Sequence, residues 1–215
     1  MNNSENAHAF FVSLASQMDK LAANGRNFTA DDYNTTFLAA EAEHHSLFAR
    51  NSTWEHCRGT TVEYRGFTCG LWTTFHAMTV RAYQSAGRDF DPLKPLKAIR
   101  GWVESFFSCH SCRTHFLKMT AEEYPMNSEN VKTAEDTYLY LWRAHNRVNN
   151  RLKGDFTEDP QFRKYQFPAS FLCEECFSPV DCYHKKAHIR EWDLEGVKSF
   201  LLNYYTRIKP FDSDA

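Results

Sequence analysis

The strongest constraint in the chain lies between Pro125 and Gly154, where Tyr138, Leu141, Trp142, His145, Val148, Asn149 and Leu152 recur at three- and four-residue spacing until Gly154 ends the run. Side chains so spaced share one face of a 3.6-residue helix, and a stripe of that length has to be buried against another element. The rhythm recurs along the chain. Phe10, Phe11, Leu14, Met18 and Leu21 follow it up to Gly25, and Leu71, Trp72, Phe75, His76, Thr79 and Tyr83 follow it to a stop near Gly87. Pro92 to Pro95 breaks the chain before Leu96, Ile99, Val103, Phe106 and Phe107, and Cys112, His115, Phe116 and Met119 share a further face. Ala30 to about Arg50 reads as a helix with Thr29 as its cap and Asp31 and Asp32 in its first turn. Trp192 to Tyr205 reads as the last helix, Pro160 to Pro168 as a loop, and Cys173 to Cys176 as a short turn. With eight glycines, seven prolines and no alternating pattern, the expected fold is all-α, with helices long enough to bundle.

Composition narrows the possible partners. The 215 residues are 42% hydrophobic, enough for one good core or two small ones. A formal net charge of -2 argues for neither nucleic acid nor an anionic membrane surface. No apolar run approaches spanning length, and Met1 to Glu5 is not a signal peptide, so the sequence reads as intracellular or as a piece of a longer secreted chain. Four sequons, at Asn2, Asn27, Asn34 and Asn51, crowd the cysteine-free first quarter and none occurs later. Glycans and oxidised cysteines want the same compartment, so the expected location is the secretory pathway (endoplasmic reticulum or Golgi) or outside the cell.

Seven cysteines are present: Cys57, Cys69, the Cys-x-x-Cys pair Cys109 and Cys112, a second such pair Cys173 and Cys176, and the odd Cys182. A Cys-x-x-Cys can cycle between dithiol and disulfide, bind a metal, or staple a fold. A helix beginning near Cys109 would put both sulfurs in its first turn, one outward and one inward, where the helix dipole favours a thiolate. Net oxidation also needs an electron sink. No G-x-G-x-x-G occurs, so any flavin sits outside a Rossmann fold. Trp72 and His76, Trp142 and Asn146, and His145 and Asn149 each lie one turn apart, and His115 follows Cys112 by three. Together they offer flat faces and polar tips for a ring system, with Arg65, Arg147 and Lys164 as candidate partners of a pyrophosphate.

The segments Arg65 to His76, Phe106 to Phe116, Trp142 to Leu152, and Asp159 to Pro168 followed by Cys173 and Cys176 resemble, in that order, the motifs of the Erv/ALR flavin-dependent sulfhydryl oxidases, and within them the quiescin branch. The resemblance runs from about Cys57 to Tyr205. It implies a four-helix bundle plus a short fifth helix over 57–210. Residues 1–56 resemble the end of the degenerate Erv-like domain that precedes the active one in that branch. It implies FAD at the bundle mouth, held by Arg65, Trp72, His76, Ser111, His115, Trp142, His145, Asn146, Arg147, Val148, Asn149, Lys164 and Phe167. Cys112 would face the flavin and Cys109 would exchange with the substrate, with Cys57–Cys69 and Cys173–Cys176 as accessory disulfides. Two departures stand out: Phe167 occupies a position where tryptophan is expected, and Ser111 one that is often acidic. The implied activity oxidises dithiols with dioxygen and yields hydrogen peroxide. The implied partners are dithiol-bearing proteins or a thioredoxin-like shuttle domain absent from this chain.

Two rival readings use the same cysteines without turnover. A zinc site could take both Cys-x-x-Cys pairs, but about sixty residues separate them, against about fifteen to twenty in ribbon-type sites. A knuckle could use Cys173, Cys176, Cys182 and His184 or His188. The third reading is a helical binding module stapled by disulfides. The expectation adopted is the oxidase, with no metal.

Overall fold

The computed structural model describes residues 3–23, 25, 29–44, 56–178 and 191–206. Cys182, His184, His188 and the sequon residues Asn2, Asn27 and Asn51 lie outside them. The chain forms two compact units, Met1–Thr53 and Trp54–Ala215.

The first unit is a pair of helices, α1 (Asn3–Ala23) and α2 (Ala30–Glu43). Thr29 caps α2 as expected: its hydroxyl accepts the Asp32 N–H while the Asp32 carboxylate accepts the Thr29 N–H, so two otherwise orphaned donors are satisfied. Phe10, Leu14 and Ala40 are buried between the helices, with the Phe10 and Phe37 rings edge to face at 5.4 Å. Helix α2 is described to Glu43, and the remainder of the stretch expected to reach Arg50 lies outside the described residues beyond His44.

The second unit contains α3 (Gly66–Gln84), α4 (Leu93–Phe106), α5 (His110–Lys118), α6 (Ala134–Leu152) and α7 (Leu194–Thr206). Helices α3 to α6 make the bundle, and α7 packs across α3. Among the described residues the only strand-like pairing is an isolated bridge between Phe177 and Trp192. Two boundaries differ from the sequence reading. Pro92 and Pro95 do not hold α4 off until Leu96, because Pro92 caps the helix and Pro95 sits in the first turn, whose N–H groups have no helical partner to lose. Trp192 is drawn into the bridge with Phe177, so α7 starts at Leu194.

Helix α6 is more than amphipathic. Thr137 to Trp142 are all buried, Leu139 and Tyr140 included, although both lie off the stripe read from sequence. One side enters a core with Phe75 of α3, Leu96, Ile99 and Val103 of α4, and Phe116 of α5. The other meets Val80 of α3, Val197, Leu201 and Tyr205 of α7, and the buried Cys173 and Cys176. All six paired cysteines form disulfides: Cys57–Cys69, Cys109–Cys112 and Cys173–Cys176. Both Cys-x-x-Cys pairs on which the zinc readings draw are therefore disulfide-bonded.

Two contacts tie the helices at close range. Gly196 in the first turn of α7 lies against the backbone of the Cys173–Cys176 turn, where a Cβ would fall 2.0 Å from the Glu175 carbonyl oxygen. Between α3 and α6, His76 and His145 share a hydrogen bond, Nε2 to Nδ1, of 3.0 Å. Burial pushes His76 down to about 3. It also holds His145 well below the usual histidine range, helped by the neighbouring His76 and Lys164. Both rings are neutral, one donating and the other accepting.

Gly196→Ala should therefore destabilise the protein by about 1–3 kcal/mol, because backbone cannot give way as a side-chain tip can; a melting temperature equal to that of the parent would refute the close approach. Unfolded histidines take up protons near pH 6.5 while His76 does so only near 3. In that window the unfolded chain binds more protons, so stability falls as pH is lowered. Thermal melts between pH 6.5 and 4.5 should show this loss, with a shallower slope in His76→Asn.

Candidate active site

Cys109 is the N-cap of α5, and its sulfur accepts the Cys112 N–H at 3.4 Å. The Ser111 hydroxyl lies 3.7 Å from the same sulfur. The disulfide thus sits where the unpaired N–H groups of a helix start stabilise a thiolate. Sequence reading places one cysteine outward and one inward. In the structure Cys109 is half-buried and Cys112 is exposed, because the capping position tucks Cys109 against its own helix. Cys112 shares a helical face with Phe116 one turn on, and the Phe116 ring packs edge to face on Trp72 at 6.2 Å.

Trp72 begins a column of rings. Its indole stacks on His145 at 3.9 Å with the planes 1° apart, His145 meets His76, and the buried His76 stacks on Tyr205 of α7 at 4.7 Å. No third ring fits between Trp72 and His145 at that spacing. Trp72 and His145 are both half-buried, so part of the pair reaches the surface. Asn149, 8% exposed and one turn beyond His145 on α6, has no hydrogen-bond partner for its carboxamide among the described residues. The carboxamide is not sealed from solvent, and it is suited to meet the polar edge of a bound ring.

The remaining polar residues of α6 are otherwise engaged. Asn146 donates to the Phe167 carbonyl and accepts the Phe167 N–H, both at 2.7 Å, and the Trp142 indole N–H donates to the same carbonyl at 2.5 Å. These two residues hold the 160–168 loop, which ends in a cis Phe167–Pro168 peptide. The Phe167 ring packs on Phe200 and Tyr204 of α7. Val148 packs into the core. Arg147 points to the opposite side of α6 from His145, with its guanidinium 4.6 Å above the Tyr124 ring.

Arg65 and Lys164 do converge. Arg65 precedes α3 with φ 60° and ψ -92°, a conformation rare for a side-chain-bearing residue and costing about 1–3 kcal/mol. Its guanidinium donates to the His56 carbonyl at 2.9 Å and the Arg58 carbonyl at 3.4 Å, and lies 4.1 Å from the Phe162 ring centre. Burial holds the Lys164 ammonium below the usual lysine range, and the nearby Arg65 charge lowers it further, against Glu158 and Asp159. A cleft of about 450 Å³ opens beside Arg65, between Arg58, Thr60 and Phe162.

Of the residues singled out in the sequence, the structure thus gathers Trp72, His76, His145 and Asn149 into one cluster, and sets Arg65 and Lys164 near one another. Ser111 and His115 are exposed on α5 beside the disulfide. Trp142 and Asn146 act on the loop, while Val148 and Arg147 face elsewhere. Sequence reasoning missed Tyr205 as a member of the ring column, and Thr60, Glu158 and Asp159 as organisers of the loops. The adjacent acids before Pro160 are the one local signal that pointed to them. The donor set suits a group with a flat polar-edged ring and an anionic tail, which a flavin dinucleotide has.

The Erv1 / Alr family model matches residues 69–168. The chain is 38% identical over 161 residues to sulfhydryl oxidase 1 of Gallus gallus, covering 75% of this chain and 20% of that protein. It is 36% identical over 166 residues to sulfhydryl oxidase 2 of Homo sapiens, covering 74% of this chain and 22% of that protein. It therefore spans about one fifth of the length of these curated relatives. The solved sulfhydryl oxidase fragment of human QSOX1 superposes with a TM-score of 0.75 at 31% identity, covering 94% of this chain and 76% of that one. With the ordered motifs, the three disulfides and the bundle all in agreement, the chain belongs to the Erv1/Alr family.

Proposed function

We propose that this chain is an FAD-dependent sulfhydryl oxidase that makes disulfides from dithiols. The observation that carries the proposal is the Cys109–Cys112 disulfide at the start of α5, on a helical face that leads through Phe116 to the Trp72–His145 stack. Residues 57–210, within the second compact unit, are the oxidase domain. The first unit is the tail of a degenerate Erv-like domain, a reading supported by the 94% of the chain matched in the human fragment. The physiological reductant is a dithiol protein or a thioredoxin-like shuttle, and the compartment is secretory or extracellular, where the exposed Asn34 of α2 is the glycan acceptor within the described residues.

The chemistry on the protein side is thiol exchange. A substrate thiolate attacks Cys109, the Cys109–Cys112 bond breaks, and Cys112 leaves as a thiolate on the Phe116 face of α5. The second substrate thiol then attacks the mixed disulfide, releasing oxidised substrate and the Cys109 thiolate, which the α5 N-terminus stabilises. Two electrons have then passed from substrate to the cysteine pair, which is left as two thiolates, and the substrate's thiol protons have gone to solvent. When bound, FAD would supply the redox chemistry that links the reduced cysteine pair to dioxygen, with hydrogen peroxide as the product. Trp72 and His145 would supply its flat surface, Asn149 a polar partner for the ring edge, and Arg65 and Lys164 the countercharge for its diphosphate. Neutral His76 and His145 add no charge beside it. Asn146 and Trp142 hold the loop that places Lys164.

The purified chain should show a flavin spectrum that bleaches with anaerobic dithiothreitol and returns in air as peroxide appears. A colourless protein that stays inert after loading with FAD would instead favour the stapled binding module. Cys112→Ala and Cys109→Ala should each abolish dithiol-dependent oxygen consumption. Only Cys109→Ala, which leaves a Cys112 thiolate beside the oxidised ring, should gain a broad long-wavelength charge-transfer band; its appearance in Cys112→Ala would reverse the two roles.

A further inference from the structure

Two cations are held together here at a cost. Arg65 and Lys164 disfavour one another, and Lys164 is half-buried as well. The Arg65 guanidinium over the Phe162 ring is one contact that joins the loops that carry them. A polar restraint is added beside it.

Asp159 is 2% exposed. Its carboxylate accepts the Thr60 N–H at 2.8 Å, the Thr60 hydroxyl, and the Gln161 N–H at 3.0 Å. Burial works against this carboxyl's charge, but the hydrogen bonds from Thr60, Gln161 and Phe162 outweigh it and keep it below the usual carboxylate range. Thr60 belongs to the loop closed by Cys57–Cys69, which the Gly66 N–H also fastens to the Cys57 carbonyl at 2.9 Å. Arg65 sits at the end of that loop and grips its carbonyls. On the other side, the Glu158 carboxylate accepts the Gly154 N–H at 2.9 Å and the Lys164 N–H, so the backbone that carries the lysine is fixed to the residue next to Asp159. Among the described residues, Thr60 to Asp159 is the polar side-chain link between the two loops.

We propose that Thr60 and Asp159 are positioning residues that latch the Arg65 loop to the Lys164 loop, and that this latch sets the affinity for the flavin's diphosphate without supplying a group that contacts it. The proposal rests on the flavin-binding reading above. A diphosphate between the two loops relieves the repulsion that the latch withstands. If the latch is lost, the cations separate and the anion must gather them again at its own expense.

The test strips the purified flavoprotein of FAD and retitrates it by flavin fluorescence, with the melting temperature of the stripped protein measured alongside. Losing hydrogen bonds to a charged group should weaken FAD binding about tenfold or more in both Thr60→Val and Asp159→Asn. Thr60→Ser, which keeps the hydroxyl, should stay within about threefold of the parent, and the double variant should bind no more weakly than the worse single variant, as coupled residues do. Unchanged FAD affinity in Thr60→Val and Asp159→Asn, even with lowered melting temperatures, would make the pair an ordinary staple and overturn the proposal. So would Thr60→Ser behaving like Thr60→Val, or additive losses in the double variant. A parent chain that takes up no FAD at all would remove the flavin reading itself, and the latch with it.

Discussion

Enclosure of α6 is the constraint on which the rest of the unit depends. A helix buried over Thr137–Trp142 has no solvent face on which to leave polar groups, so most of those near that stretch take a partner within the protein, the buried Tyr138 hydroxyl being the exception. Thr137 donates to the Pro92 carbonyl and thereby fixes the start of α4. Tyr140 donates to the Tyr124 carbonyl and fixes the turn after α5. Trp142 and Asn146 take hold of Phe167, and His145 takes hold of His76. One helix therefore sets the position of nearly every segment around the disulfide. The site is a consequence of how a central helix satisfies its hydrogen bonds.

The two loops at the mouth have no such core to lean on. They are ordered by carboxylates that accept backbone N–H groups: Glu158 within its own loop and Asp159 across to the other. A disulfide closes the first loop, and side-chain clamps from α6 close the second. This arrangement concentrates positive charge from Arg65 and Lys164 where little apolar packing opposes it. It also accounts for the unusual backbone of Arg65, since a residue whose guanidinium must turn back to the His56 and Arg58 carbonyls cannot follow the ordinary path into a helix.

Much of this was readable in the sequence, for reasons that can be named. Helical spacing located α1 and α3 to α7, and Thr29 marked the start of α2, because these signals are local and depend on neighbours three or four residues away. Reading failed where burial was decided by distant segments. Leu139 and Tyr140 look like the outer face of α6 until α7 and the Cys173–Cys176 turn are known to cover them. Trp192 looks helical until Phe177 pairs with it. At the site, residue types suited to a cofactor were visible as types, but not by direction. Asn146 and Asn149 are the same amino acid on the same helix, yet one is spent on the Phe167 backbone and the other is not. Arg147 and Lys164 carry the same charge, and only Lys164 lies near Arg65. Thr60 and Asp159, separated by 99 residues, offer no local pattern to connect them.

Cys109, a redox sulfur in the proposed oxidase, also caps α5. Opening the disulfide therefore leaves the cap in place. A thiolate accepts a hydrogen bond more strongly than a bonded sulfur does, and negative charge is welcome at a helix start. The end of the helix is held in the oxidised state and held more firmly in the reduced one. In the proposed oxidase, opening and closing this disulfide would change the charge at this position without unwinding the first turn, and the scaffold that aims the cysteines would not have to be rebuilt between turnovers.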